Sequence, residues 1–235
     1  KLHVNPFNLM RFNGIGALYP VATIRGSLVI GLGFNRIHHY DDLMSFSGYS
    51  TVKNGLEFPI DVDGQLLNYG FDQGVERYEK IMSNGTREQM TFSFGIALSP
   101  NLAAGLSISR TTGNETYDFE FLQQDIADNY QEFPSDFRDY ELFQSLETKT
   151  KAINIRAGLK YNLLPFRFGL SIALPYNIVV EESHGTQEKL IFDNLDYSDA
   201  IELGYYDYKI LMPATIDFGA ALITESNLTL SMSFR

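Results

Sequence analysis

The chain has 235 residues, enough for one sizeable domain, and no Cys, which excludes disulfides and thiol chemistry. No apolar run approaches the roughly 20 residues of a helical membrane span. The formal net charge is −11, yet 27 of the 29 acidic residues lie in His38–Glu88, Gly113–Lys151 and Glu181–Lys209; acidic blocks without a basic stripe argue against nucleic acid and suggest three solvated insertions on one side of the molecule.

In chain order, Lys1–Met10 shows no clear period, Phe12–Tyr19 is strand-like until Pro20, and Val21–Gly26 is a short turn. Ser27–Tyr40 sets Leu28, Ile30, Leu32 and Phe34 against Val29, Gly31, Gly33 and Asn35, the two-residue period of a strand. Gly31 and Gly33 share the inner face, where a strand bends, another backbone approaches, or neighbouring side chains need room. His38–Glu88 is too long for an ordinary connection. Within it Asp72–Met82 is predicted as a helix carrying Val75, Tyr78, Ile81 and Met82 on one stripe.

Gln89–Gly113 is the clearest hairpin. Met90, Phe92, Phe94, Ile96 and Leu98 alternate with Thr91, Ser93, Gly95, Ala97 and Ser99, and Pro100-Asn101 breaks the run. Leu102, Ala104, Leu106 and Ile108 then alternate with Ala103, Gly105, Ser107 and Ser109. One face is large and apolar, and the other is small and uncharged. A water-soluble sandwich has the opposite arrangement, with long polar groups on the solvated face. Lipid outside and a crowded lumen within explain the observed one.

Tyr117–Phe121 continues this strand, Gln123–Phe133 is predicted as a short helix closed by Pro134, and Glu147–Tyr161 resumes as strand before a turn at Asn162–Pro165. In Phe166–Val180 the alternation puts Phe166, Phe168, Leu170, Ile172, Leu174, Tyr176 and Ile178 on one face. Glu181–Leu203 is the third insertion. Gly204–Leu222 sets Ile210, Met212, Ile216 and Phe218 against Lys209, Thr215, Asp217 and Gly219; Thr224–Asn227 turns, and Leu228–Phe234 rises again. A cation facing mid-bilayer lipid costs roughly 2–4 kcal/mol, which assigns Arg156, Lys160 and Arg167 to the lumen. Arg36 and Arg110 share the lipid face but lie at strand ends, where they meet either anionic headgroups or solvent. Tyr19, Tyr40, Phe92, Tyr161, Phe166, Tyr176, Tyr206 and Tyr208 are candidates for an interfacial aromatic belt. About eight strands result, joined alternately by short turns and long insertions. The fold class expected is an all-β, transmembrane antiparallel β-barrel, residues 1–235 forming one partial barrel domain, a fragment of a larger barrel with short helices in its external loops.

Catalytic motifs are absent: the chain has no G-x-S-x-G, H-E-x-x-H or P-loop. His38 and His39 point to opposite faces and cannot readily share a metal. The Asp61–Gly64 sequence has two acids of a calcium loop but Leu66 and Asp72 where that loop needs Gly and Glu. Ser183-His184 is a weak hydrolase-like candidate, and ordinary loop explains it better. No catalytic residue, metal or cofactor is assigned. Arg156 and Asp217 fall at a common depth and are predicted to form a lumen charge pair.

The segment YPVATIRGSLVIGLGFNRIHHYDDLMSFSGYS, Tyr19–Ser50, and the later YYDYKILMPATIDFGAALI, Tyr205–Ile223, resemble outer-membrane transporters of the FadL/TodX type. The resemblance implies a fourteen-stranded barrel with an amino-terminal hatch, in the bacterial outer membrane, carrying long-chain fatty acids or other hydrophobic compounds. The hatch, its Asn-Pro-Ala element, the first strand and the last several have no counterpart here. Passive uptake is the function expected. Tyr78, Ile81, Tyr117, Phe119 and Phe121 gather the ligand from water, because apolar surface gains roughly 25 cal/mol per Å² on leaving it. Gly31, Gly33 and Asn35 line the passage below. The partners expected are the hydrophobic ligand, outer-membrane lipid and lipopolysaccharide, with a monomeric protein. A diffusion porin, an outer-membrane hydrolase and an adhesion barrel are the alternatives.

Overall fold

The computed structural model describes residues 2–4, 12–24, 26–194, 197–223 and 229–234, and among them every regular element is a β-strand. The first ribbon comprises β1 (Leu2–Val4) and β2 (Gly14–Val21), and the second β3 (Leu28–His39) and β4 (Asp42–Ser50). A separate hairpin, β5 (Phe58–Val62) and β6 (Gln65–Tyr69), follows. Three long strands come next, β7 (Val75–Ala97), β8 (Leu102–Gln124) and β9 (Phe137–Leu163). The sixth ribbon is β10 (Phe166–Ala173) with β11 (Tyr176–Phe192), the seventh β12 (Tyr197–Met212) with β13 (Thr215–Ile223), and the eighth β14 (Thr229–Phe234). Each ribbon pairs antiparallel with the next. Among the described residues nothing pairs β14 with β2, so the sheet is open and not a closed barrel.

Short connections lie at one end, at residues 22–27, 98–101 and 164–165; the turn expected at Thr224–Asn227 falls outside the described residues. Ser99 Oγ accepts the Asn101 and Leu102 N–H groups in the first hairpin's turn. The opposite end carries residues 51–74 and 125–136.

The acidic segments are largely strand, a correction to their expected character as loop insertions. β7 and β8 have 23 residues each and β9 has 27, against the 9–11 or so of a membrane-spanning strand. Both predicted helices are absent. Residues 75–82 belong to β7, and residues 123–133 hold the end of β8 and an irregular connection. Residues 76–82 pair with a neighbouring strand on each side, and a helix over 72–82 would forfeit those ladder hydrogen bonds.

Across the lower half, register assembles the bulky residues into rows. Tyr19, Ile30, Phe94, Leu106, Ala157, Ile172 and Ile216 form one, and Leu28, Ile96, Ala104, Leu159, Leu170, Phe218 and Phe234 the next. Apart from Arg110, in the uppermost row with Ile15, Phe34, Met90 and Ile153, every residue on this face, from Ile15–Val21 on β2 to Leu230–Phe234 on β14, is Ala, Val, Ile, Leu, Met, Phe or Tyr. On β9 the band runs from Ile153 to Leu163, roughly 34 Å along the strand or about 26 Å high at a 40° tilt, close to the 25 Å of a membrane barrel. Phe92 is 50% exposed and Leu170 39%, whereas Ser109 on the other face is 8% exposed. The bulky groups therefore do not meet in a shared centre. Tyr19 and Phe92 sit within the band and Tyr206 and Tyr208 well above it, so these four do not belong to an end belt.

The buried core lies elsewhere, at the far end. Phe58, Phe71, Val75, Tyr130, Phe137, Tyr140 and Leu190 pack together where the β5–β6 hairpin folds against β9 and β11. The Phe58 and Tyr140 rings lie 4.4 Å apart and Phe71 and Phe137 5.2 Å. Asp61–Gly64 makes the hairpin's turn: Asp63 and Gly64 have φ of 52° and 82°, and Asp61 Oδ1 accepts the Gly64 N–H at 2.8 Å. This is a tight hairpin turn with Asp-Gly at its two positive-φ positions, not a calcium loop. Gln123, fully buried at the end of β8, ties the approach to the hairpin down by accepting from Asn54 Nδ2 at 3.0 Å and Arg77 Nε at 2.8 Å.

Candidate functional site

Because β7, β8 and β9 hold one register from end to end, the small-residue face of the lower half continues unbroken to the aromatic core. Three tiers follow one another on it. The lowest is the row Gly95, Gly105, Gly158, Ser171 and Asp217, with Ala103, Lys160, Gly169 and Gly219 beneath and Ser93, Ser107 and Arg156 above. A groove of about 430 Å³ runs across it, lined in part by Ser93, Gly105, Ser107, Arg156, Lys160 and Ser171. A Cβ added at Gly169 would meet open space, and at Gly105 only the Phe94 carbonyl at 3.6 Å, so these glycines widen the groove and relieve no clash.

Gly31, Gly33 and Asn35 line an adjoining recess of about 690 Å³ with Thr91 and Ser93. Gly31 is covered: an added Cβ would fall 2.6 Å from Ser93 Oγ and 2.8 Å from Leu18 Cδ2, whereas Gly33 faces open space. Arg156, Lys160 and Arg167 all lie on this face, as their parity predicts. Arg156 and Asp217 occupy adjacent rows on the fifth and seventh ribbons with β10 between them. Asp217 Oδ2 accepts a hydrogen bond from Ser171 Oγ at 3.1 Å, and Arg156 forms no ion pair among the described residues.

The middle tier is polar. Arg87, Gln89, Thr111, Thr150 and Tyr176 surround a cavity of about 210 Å³ whose apolar walls include Ile37 and Ile178. Arg87 lies over the Tyr40 ring at 5.9 Å, and Tyr40 meets His38 edge-on at 4.7 Å. Thr150 Oγ1 is buried without a hydrogen-bond partner among the described residues.

Tyr176 and Ile178 reach this tier through a break that overturns their expected position. Leu174-Pro175 interrupts the sixth ribbon, and pairing changes from Ala173 with Arg156 to Ile178 with Ala152. The change adds one residue, so Ile172 faces the bulky side while Tyr176, Ile178 and Val180 face the other. Pro213-Ala214 does the same to the seventh ribbon, which moves Ile210 and Met212 away from the side of Ile216 and Phe218 and turns Lys209 outward.

The upper tier is aromatic. Ile81 lies opposite Phe119, Ser83 opposite Tyr117 and Glu79 opposite Phe121, and the Phe119 and Phe121 rings stack 6.3 Å apart. Leu142 and Leu146 continue the wall on β9, and Phe121 reaches the Tyr140 ring at 6.3 Å. Four of the five expected capture residues are thus brought together. Tyr78 is not: it lies on the opposite face of β7, in a pocket of about 350 Å³ with Leu122, Phe143 and Glu141. As a strand, β7 sends Tyr78 and Ile81 to opposite sides, where a helix would have aligned them. Ser183 and His184 also face opposite ways on β11, and His184 stacks on Tyr206 at 5.5 Å. Among the described residues no cluster of His, Cys, Asp and Glu could hold a metal.

At the top, burial above all pushes the Tyr130 hydroxyl up to about 12, with Asp72 adding to it. Tyr140 is raised too, by burial and then by the charge of Glu188. Both stay neutral and serve as packing groups. No protein-family model matches the chain, and no curated protein matches it.

Proposed function

We propose that this chain forms part of the wall of a bacterial outer-membrane β-barrel that takes up hydrophobic small molecules, such as long-chain fatty acids, without covalent chemistry or cofactor. In this reading the protein works as a monomer, lipid and lipopolysaccharide cover the bulky band, and further strands complete the barrel. The observation that carries the reading is a single continuous face: Phe121, Phe119, Ile81 and Tyr117 lead from the aromatic core to a polar tier and then to a glycine- and serine-lined groove. Burial of one Phe against a ligand contributes roughly 1.5–3 kcal/mol, so this stretch can draw an apolar molecule out of water. The small residues below offer space in place of adhesion, which suits passage. A diffusion porin is the second reading, favoured by the cations Arg156, Lys160 and Arg167 on the lower face.

Binding of a fluorescent fatty acid to the protein folded in vesicles tests this. Joint Phe119→Asp and Phe121→Asp substitution should weaken binding about a hundredfold or more, since each ring contributes over 1.4 kcal/mol, while Tyr78→Asp should leave it unchanged. No binding by the unaltered protein, together with permeation of small polar solutes, would favour the porin.

A further inference from the structure

We propose that the recess beside the Leu174-Pro175 break is a binding site for the phosphate headgroup of a membrane lipid, held by Arg110 and Lys151; the inference rests on the bulky band facing lipid. The recess, about 630 Å³, opens on the bulky side and is lined by Arg110, Lys151, Ile153, Pro175, Asn177 and Val179. Its height is what a headgroup requires. Below the row of Phe34, Met90, Arg110 and Ile153 the face is wholly apolar, and above it Arg36, Glu88 and Lys151 begin the charged extension. Arg110 lies opposite Ile153, and Lys151 is its diagonal neighbour on the same face, about 7–8 Å away and close enough for both to reach one phosphate.

The two cations of this boundary foreseen from sequence differ in state. Arg36 is neutralised by Glu88, with Nη2 2.9 Å and Nε 3.1 Å from Oε1. Arg110 is exposed and its guanidinium makes no hydrogen bond or ion pair among the described residues. Lys151 Nζ donates to both Glu181 carboxylate oxygens, at 3.0 and 3.4 Å, which leaves a third ammonium hydrogen for another acceptor. A guanidinium and an ammonium over an apolar floor of Ile153 and Val179 match a phosphomonoester above acyl chains, and the shift at Pro175 opens the space that an unbroken strand would fill.

Electron spin resonance of spin-labelled lipids in vesicles holding the folded chain tests the site. Each basic group near the surface contributes about 1 kcal/mol, so the two should hold phosphatidic acid at the protein surface about thirtyfold more strongly than phosphatidylcholine. The double variant R110Q/K151Q should lose the preference and R36Q keep it. Equal retention of the two lipids, or a preference that survives R110Q/K151Q, overturns the site. Displacement by millimolar inorganic phosphate would make it a soluble-anion site and overturn the lipid assignment. Absence of any motionally restricted lipid defeats the membrane reading itself, an outcome distinct from equal retention.

Discussion

Tyr130 ties the hairpin's exit to the wall through its ring and its hydroxyl together. The ring lies 5.4 Å from Phe71 and 5.8 Å from Phe137, while the hydroxyl receives the Gln73 N–H and donates to Asp72 Oδ1 at 3.2 Å. With its pKa raised from the ordinary 10 to about 12, the folded form keeps a proton that the unfolded chain releases. The stabilisation is full below pH 10 and is lost as pH rises through about 12, a change of roughly 2–3 kcal/mol at most. Proteolysis of residues 51–74 should accelerate between pH 10 and 12, ahead of any loss of sheet circular dichroism, and Tyr130→Phe should abolish that window. Cleavage indifferent to pH across it would contradict the assignment. None of this was legible beforehand, because the contacts to Phe71, Asp72 and Gln73 join residues 57 or more positions apart through an irregular connection.

At the scale of elements, alternation within the lower parts of β7, β8 and β9 and within β10 was legible because one face there is almost wholly apolar. Where the alternation lapses above Arg110, polar and acidic residues occur on both faces and the same chain reads as loop, although its backbone stays in the ladder. Sequence also carries the extrapolated parity straight through Pro175 and Pro213, where one extra residue reverses it. A proline lacks the ladder donor and marks such a shift, so the signal was present. The Cys-free chain makes the reversal easy to check. A membrane-soluble maleimide should label Ile172→Cys and spare Ile178→Cys, and a small water-soluble reagent should do the reverse; identical labelling of both would contradict the break.

For the whole molecule, the decisive contrast is between its two ends. An apolar band with little burial, bounded above by Arg110, occupies the lower half, and the buried aromatic core sits under the β5–β6 hairpin in the acidic upper half. Water around the lower band would leave residues such as Leu32, Phe92, Ile153 and Ile216 exposed on one contiguous face, far beyond the few hundred Å² a soluble monomer tolerates. The absence of Trp makes single-tryptophan variants clean reporters of that face. The most direct measurement is fluorescence quenching by brominated lipid of Leu106→Trp and Ser107→Trp, neighbours on β8 with opposite facing. Strong quenching at position 106 and little at 107 is the result predicted; equal quenching, or none at 106, would contradict the lipid-facing band.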